Sequence, residues 1–242
     1  MELGCYKNKY CCMWCLSILD EMPNEGVCPQ CSNKGIKKIH LEVVNPHKAI
    51  IIKISRKEIL NNIRDGYMWF QSPKYYQRYS GRGQGAINDK NEGIDKSNSV
   101  NINSLRLMSF YSLQIDENEK YIIETPSKKL REFGDHFILI NYKKLEQELK
   151  NYFEDKNISM EFFGFVKYSK NDNYSNLNPT FKDNNYSYQN EVRILLKSND
   201  FLKLGEEEAY KTDKSTLNVS KYFSEPMPID LLLNAKKLDD IF

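Results

Sequence analysis

The sequence predicts an α+β fold, with a strand-dominated core, helices at its periphery and a small zinc-binding module in front of it. Beyond residue 48, short apolar runs with strand character outnumber amphipathic helical patterns. Before it, cysteines stand in the spacing of metal ligands. We therefore expect a zinc ribbon or knuckle over residues 1–45 and an α+β domain over residues 46–242.

Four cysteines form two CxxC pairs separated by twelve residues: Cys12, Cys15, Cys28 and Cys31. Each pair can direct two thiolates at one tetrahedral zinc ion, and a site with four protein ligands is structural. Cys11 is an alternative to Cys12, and Cys5 is left over. A disulfide framework is the other interpretation, but the N-terminus lacks the basic stretch and apolar run of a secretory signal. We expect a reduced, cytoplasmic protein.

Charge and apolar content exclude some classes of protein. The formal net charge of +2 does not by itself indicate a nucleic-acid or membrane surface. No run approaches the roughly 20 apolar residues of a membrane span. Lys34, Lys37 and Lys38 form a local basic cluster that fits either a partner surface or a solvated edge. The three histidines lack metal-ligand spacing, so a second, catalytic metal is not expected.

The first elements of the larger domain follow from hydrophobic periodicity. An apolar strand is predicted over 49–54, then a helix over 55–64 with Ser55 as N-cap and Glu58 three residues later. Gly66 ends that helix, and an aromatic strand follows over 67–70. Residues 80–103 are rich in Gly, Asn, Ser and Lys, which is typical of a long loop.

The remaining elements are mostly strands. Alternation and apolar runs predict strands over 105–113, 133–141, 162–168 and 188–196, with a last short one over 216–219. One amphipathic helix is predicted over 142–153, and its inward residues are Leu145, Leu149, Tyr152 and Phe153. An Asn- and Tyr-rich loop over 169–186 leads directly into the strand over 188–196.

Polar residues interrupt these apolar strands and are the first candidates for chemistry. Alternation places Gln189, Glu191 and Arg193 on one face of the late strand. Ser109 interrupts the strand over 105–113, and Asp89 and Glu92 lie in an Asn-Asp-x-x-Glu-Gly segment of the first long loop. Such side chains lower stability unless they are paired or solvated.

The chain order of these motifs resembles a broad set of uncharacterised bacterial and phage proteins. The motifs are a Lys-bearing strand, a helix ending at Gly66, an aromatic strand, the Asn-Asp-x-x-Glu-Gly loop and a late Gln-x-Glu-x-Arg strand. Those proteins share this opening with ADP-ribosyltransferase-like folds. The resemblance covers about residues 49–196. It implies an ADP-ribosyltransferase that uses NAD to modify a nucleic acid or a protein, or an NAD glycohydrolase, as expected of a toxin or phage-defence effector.

The resemblance also implies roles for particular residues. Glu191, preceded by Gln189, matches the family's Gln-x-Glu pair, whose glutamate contacts the ribose and stabilises positive charge as nicotinamide leaves. The serine of the middle strand corresponds to Ser109. The basic residue that contacts NAD corresponds to Lys53 or Arg56. These carry-overs depart from the family pattern, which often has Ser-Thr-Ser where this chain has Met-Ser-Phe-Tyr-Ser.

Simpler interpretations stand beside these. Glu191 and Arg193 also fit a surface ion pair, and Asp89 and Glu92 also fit a turn or cap. Tyr76 and its aromatic neighbours fit core and rim, or stacking on a base or a nicotinamide. As whole functions, the alternatives are a non-enzymatic zinc-ribbon module that binds nucleic acid or protein, and a magnesium nuclease built on Asp89, Glu92 and Glu191.

Overall fold

The structure is a computed structural model. It describes residues 7–12, 18–19, 23, 26–27, 29, 32, 34, 36–41, 49–78, 102–116, 121–169, 180–204 and 208–241. The predicted zinc ligands Cys15, Cys28 and Cys31 lie outside these residues, and so do Asp89 and Glu92. Cys12 is the last residue of a described strand.

The described N-terminal residues form a three-stranded antiparallel sheet. Its strands are β1 (Lys7–Cys12), β2 (Ile18–Leu19) and β3 (Ile36–Leu41), with β1 in the centre. In the register of β1 and β3, Cys11 lies opposite Lys37 and Cys12 opposite Ile36. No strand was predicted in this part of the sequence.

The larger part of the chain is mixed α/β with a strand-rich core, as the sequence predicts. Its strands are β4 (Ala49–Ser55), β5 (Trp69–Phe70), β6 (Leu105–Gln114), β7 (His136–Ile140), β8 (Ser159–Phe165), β9 (Lys167–Ser169), β10 (Phe181–Asp183), β11 (Glu191–Lys197), β12 (Tyr210–Lys211) and β13 (Met227–Pro228). Its α-helices are α1 (Lys57–Arg64), α2 (Pro73–Arg78), α3 (Tyr142–Glu154) and α4 (Ile229–Asn234).

Six of these strands form one sheet in the order β13-β7-β4-β6-β11-β8. Every neighbouring pair in it is antiparallel. Two short pairs lie outside it, β12 with β5 and the parallel pair β10 with β9.

Alternation along the strands gives the sheet two apolar faces. One face, which includes Ile51, Phe110 and Ile194, packs against α1 and α3, and all four predicted inward residues of α3 are buried there. The opposite face, which includes Ile52, Tyr111 and Phe137, packs against α4. A sheet covered on both faces explains why its central strands are apolar almost throughout.

The sheet opens between two of its central strands. β4 pairs with β6 only from Ala49 to Ile52, and the partner of Ile52 is Tyr111. Beyond that pair, residues Leu105–Tyr111 of β6 form their ladder with β11 on the other side. On the open side, the backbone of Gln71 exchanges two hydrogen bonds with Leu107, at 2.7 and 2.8 Å. The second half of β4 and the first half of β6 therefore border a cleft.

Several predicted element ends are wrong. β4 continues through Ser55, so Arg56 takes the N-cap position of α1 and makes no side-chain cap. The strand predicted over 188–196 begins only at Glu191, because residues Asn184–Gln189 form a 3₁₀ helix. Residues 216–219 include a turn and no strand.

Gly66 ends α1 as predicted, and its backbone explains why a glycine stands there. Its φ is +89°, a left-handed conformation that disfavours any Cβ. A Cβ at this position would lie 2.0 Å from the carbonyl oxygen of Leu217. The buried Thr212 adds to this junction, since its hydroxyl donates to the Gly66 carbonyl at 2.6 Å.

Candidate functional site

A cavity of about 360 Å³ lies in the cleft where β4 and β6 separate. Its volume is within the range of small-molecule sites, roughly 300–1,000 Å³. The polar side chains that line it include Lys53, Gln71, Ser109, Lys182, Gln189, Glu191 and Arg193. The aromatic ones are Tyr75, Tyr76, Phe110, Tyr111 and Phe133. Apolar walls with a few convergent polar groups are typical of ligand sites.

Glu191 is at the centre of a buried ion-pair network. It is the first residue of β11, and its exposed fraction is 5%. Arg193 Nε donates to Glu191 Oε1 at 2.6 Å and Arg193 Nη2 to Oε2 at 3.2 Å. Lys182 Nζ donates to Oε2 at 2.9 Å. The interpretation of Glu191 and Arg193 as a surface ion pair is therefore wrong, since Arg193 is 1% and Lys182 7% exposed.

The network keeps Glu191 ionised. Burial is the largest single influence and would raise the pKa of its carboxyl, whereas the charges of Arg193 and Lys182 lower it. Hydrogen bonds from Arg193 and Ser109 act in the same direction, and the net effect holds the pKa of Glu191 well below its usual range. The site thus holds a buried, fixed and ionised carboxylate.

Gln189 joins this network from a different element than expected. It is the last residue of the 3₁₀ helix before β11, and Asn190, with a φ of +37°, connects the two. Gln189 is buried, and its Oε1 accepts a hydrogen bond from Lys182 Nζ at 2.7 Å. The predicted strand face is therefore wrong for Gln189, although its side chain reaches the same cavity as Glu191.

Lys53 lies where β4 leaves β6. It is half-buried, and its Nζ donates to the backbone oxygen of Ser109 at 2.6 Å and lies 5.5 Å from the ring centroid of Phe110. Burial lowers the pKa of Lys53 to about 8, an effect that the negative charge of Glu191 opposes. Lys53 is therefore a partly buried residue of the cavity lining rather than a solvated strand residue.

Of the other residues predicted to contact NAD, Ser109 and Tyr76 line the cavity and Arg56 does not. Ser109 lines the cavity, hydrogen-bonds Glu191 with its side chain and lies opposite Arg193 in the β6–β11 ladder. Tyr76 lines it too, with its ring packed edge-to-face on Tyr75 at 5.5 Å. Arg56 is exposed and is not among the lining residues. Of the two basic candidates, Lys53 is the one in the site.

Sequence reasoning missed several lining residues, and two of them, Lys182 and Gln71, carry polar groups that matter for the site. Lys182 reaches Glu191 because β10 pairs in parallel with β9, and nothing local in its Asn-rich segment indicates that pairing. Its Nζ also lies 5.1 Å from the ring centroid of Tyr186. Gln71 follows the aromatic strand β5, and among the described residues its buried Oε1 has no hydrogen-bond partner. An unpaired buried carbonyl lowers stability, and a ligand N–H or O–H group would satisfy it.

Comparison of the chain with protein-family models, with curated proteins and with solved structures found no match. Within the described residues, no helix is both long enough and apolar enough to span a bilayer. The same residues contain no group of three or more His, Cys, Asp or Glu side chains that could hold a metal ion. The fold and the site define a mixed α/β protein with a charged, aromatic-lined cleft.

Proposed function

We propose that this chain is an enzyme of the ADP-ribosyltransferase type, which uses NAD and acts on a nucleic acid or a protein. The observation that carries the proposal is a convergence. Lys53, Tyr76, Ser109 and the pair of Gln189 and Glu191 come from four separate parts of the sequence, and all of these residues line one cavity. A non-enzymatic scaffold has no need for such a meeting of candidate residues in a cleft of ligand size.

The charges of the cavity fit the substrate. Lys53, Lys182 and Arg193 carry positive charge against the single carboxylate of Glu191 in the lining. An excess of cations in a poorly solvated cleft favours an anionic ligand, and the pyrophosphate of NAD is one. Tyr75 and Tyr76 offer rings for stacking, and Gln71 offers an unpaired carbonyl to an amide or hydroxyl donor.

Glu191 would supply the catalytic electrostatics. The bond between ribose C1′ and the nicotinamide nitrogen breaks with its electron pair leaving on nicotinamide. The acceptor's nucleophilic atom, or water, then bonds to C1′ and releases a proton. Positive charge grows on the ribose as the bond breaks, and a fixed, ionised carboxylate stabilises it. Ser109 and Gln189 hold that carboxylate and its partner Lys182 in place.

The proposal is tested by nicotinamide release from NAD, with binding followed by calorimetry. Glu191→Gln should abolish release, and Ser109→Ala, which leaves every charge of the network in place, should reduce it about tenfold or more. Glu161→Gln is the matched control, because Glu161 is an exposed glutamate on β8 outside the cavity. Absence of NAD binding and of nicotinamide release in the parent protein would remove the proposal.

We also propose that residues 1–45 bind one structural zinc ion through Cys12, Cys15, Cys28 and Cys31 and present the target to the enzyme. The support is the CxxC spacing, together with the small sheet that the described residues of this segment form. Zinc content of the purified protein tests it. Cys12→Ser should lose zinc if Cys12 is the first ligand, Cys11→Ser if Cys11 is, and Cys5→Ser serves as the control.

A further inference from the structure

A second, smaller cavity of about 220 Å³ adjoins the first. Lys53, Ser55 and Ile59 line both cavities, whereas Ile63, Trp69 and Met108 line the smaller one. Ile63 and Met108 belong to the core on the α1 side of the sheet. Ile54, Tyr111 and Leu130, which line the larger cavity, belong to the core on the α4 side. The smaller cavity is therefore lined from the α1 side of the sheet, whereas the larger one is lined from both sides, since Phe110 of the α1-side core also lines it. Lys53 belongs to both linings.

The chemistry of the smaller cavity fits a planar ring. Its lining is mostly aliphatic and aromatic, and apolar cavities of about 150 Å³ can hold a benzene ring. Trp69 is only partly buried, so a ligand can reach its indole, and Lys53 supplies N–H donors at the polar end. A flat ring whose edge carries hydrogen-bond acceptors satisfies both requirements, and a nucleobase has both.

Exposed cations neighbour the lining residues of this cavity, two along the chain and one across a strand pair. Arg56 and Lys57 directly follow Ser55 of its lining, and both are exposed. Lys211, also exposed, lies opposite Trp69 in the β12–β5 pair. Glu58, in the same turn of α1, and Asp135, whose carboxylate interacts with Arg56, are exposed acids here, so the local excess is one positive charge. Positive charge beside a ring-sized pocket is what a strand of nucleic acid needs, because its phosphates flank each base.

We propose that the smaller cavity is a subsite for one unpaired nucleobase of a single-stranded nucleic acid. The base stacks on Trp69, and its acceptor edge faces Lys53. Under the proposed function, this base belongs to the nucleic acid that receives ADP-ribose. Its edge next to Lys53 then faces the larger cavity. The role of this base as part of the modified substrate rests on the proposed function, whereas the binding of the base does not.

The test uses Trp69 as the reporter of its own cavity. The chain has two tryptophans, so Trp14→Phe leaves Trp69 as the one source of indole fluorescence. The probes are a short mixed-sequence single-stranded DNA, the RNA of the same sequence, and an abasic DNA of equal length and charge. NAD is left out of the titration, so a failure of NAD cleavage and a failure of base binding are distinguishable.

Saturable quenching by the DNA or the RNA, and little by the abasic strand, is the expected result. Ile59→Phe, which adds bulk at a residue that is 37% exposed on the cavity wall, should weaken the quenching titration at least about tenfold. Leu231→Phe is the matched control, since Leu231 is a 42% exposed helix residue outside both linings. Equal quenching by the abasic strand, no quenching by either base-bearing strand, or an unchanged titration in Ile59→Phe overturns the proposal.

Discussion

Glu191→Gln should destabilise the protein as well as abolish turnover. The substitution removes the carboxylate from two cations that are 7% and 1% exposed, Lys182 and Arg193. Removal of one partner from a buried ion pair leaves an uncompensated charge and costs about 3–5 kcal/mol. Whole domains have only about 5–15 kcal/mol of stability, so this is a large fraction of the total.

Urea unfolding followed by far-UV circular dichroism measures this loss, and a second variant identifies its cause. Lys182→Met combined with Glu191→Gln removes one of the two buried cations that Glu191→Gln leaves without a carboxylate partner. The double variant should therefore recover at least about 1 kcal/mol relative to Glu191→Gln alone. A loss below about 1 kcal/mol in Glu191→Gln, or no recovery in the double variant, would refute the reasoning from the buried network.

The same network predicts how stability depends on acid. The pKa of Glu191 is lowered in the folded protein, so its contribution is fully present above the unfolded pKa of 4.5. It is lost as the pH falls through the lower folded value. The stability difference between the parent protein and Glu191→Gln should therefore narrow progressively below about pH 4.5 and stay constant above it, up to the pH range near 8 in which Lys53 titrates.

Three further outcomes are expected. Because the pKa of Lys53 is about 8, calorimetric affinity for NAD should fall as the pH rises through 8, and Lys53→Arg, which stays charged, should remove that fall. Gly66→Ala should lower the free energy of unfolding by at least about 2 kcal/mol, because the φ of Gly66 is +89° and the Leu217 carbonyl occupies the place of a Cβ. A decrease in the free energy of unfolding of under about 0.5 kcal/mol would contradict this geometry. Arg64→Ala should cost under about 1 kcal/mol in the same urea assay, because its partner Glu225 is exposed.

The local features of the fold were predictable because they depend on periodicity. The apolar stripe of α3 is visible in the sequence, and all four of its predicted core residues are buried. Gly66 is equally local, since a glycine after an amphipathic helix indicates a left-handed end. The pattern on β6 also gave that strand nearly its full length.

Features that depend on distant partners were not predictable. Ser55 fits the N-cap pattern, yet pairing with His136 in β7 extends β4 through it. Gln189 fits the alternation of a strand, but the strand begins only after Asn190. Glu191 is paired with Lys182, which a parallel pair of short strands brings to it. One sequence carries no signal for such a contact.

The opening between β4 and β6 divides the central sheet into two mechanical halves. Strands β13, β7 and β4 form one half and strands β6, β11 and β8 the other, and their shared ladder runs only from Ala49 to Ile52. A ligand that fills the cleft would contact Lys53 of the first half and Glu191 of the second. It would therefore link the two halves of the sheet. Any ligand that fills the cleft should therefore slow amide hydrogen exchange at Ile50–Ile52 relative to the free protein, whatever reaction follows.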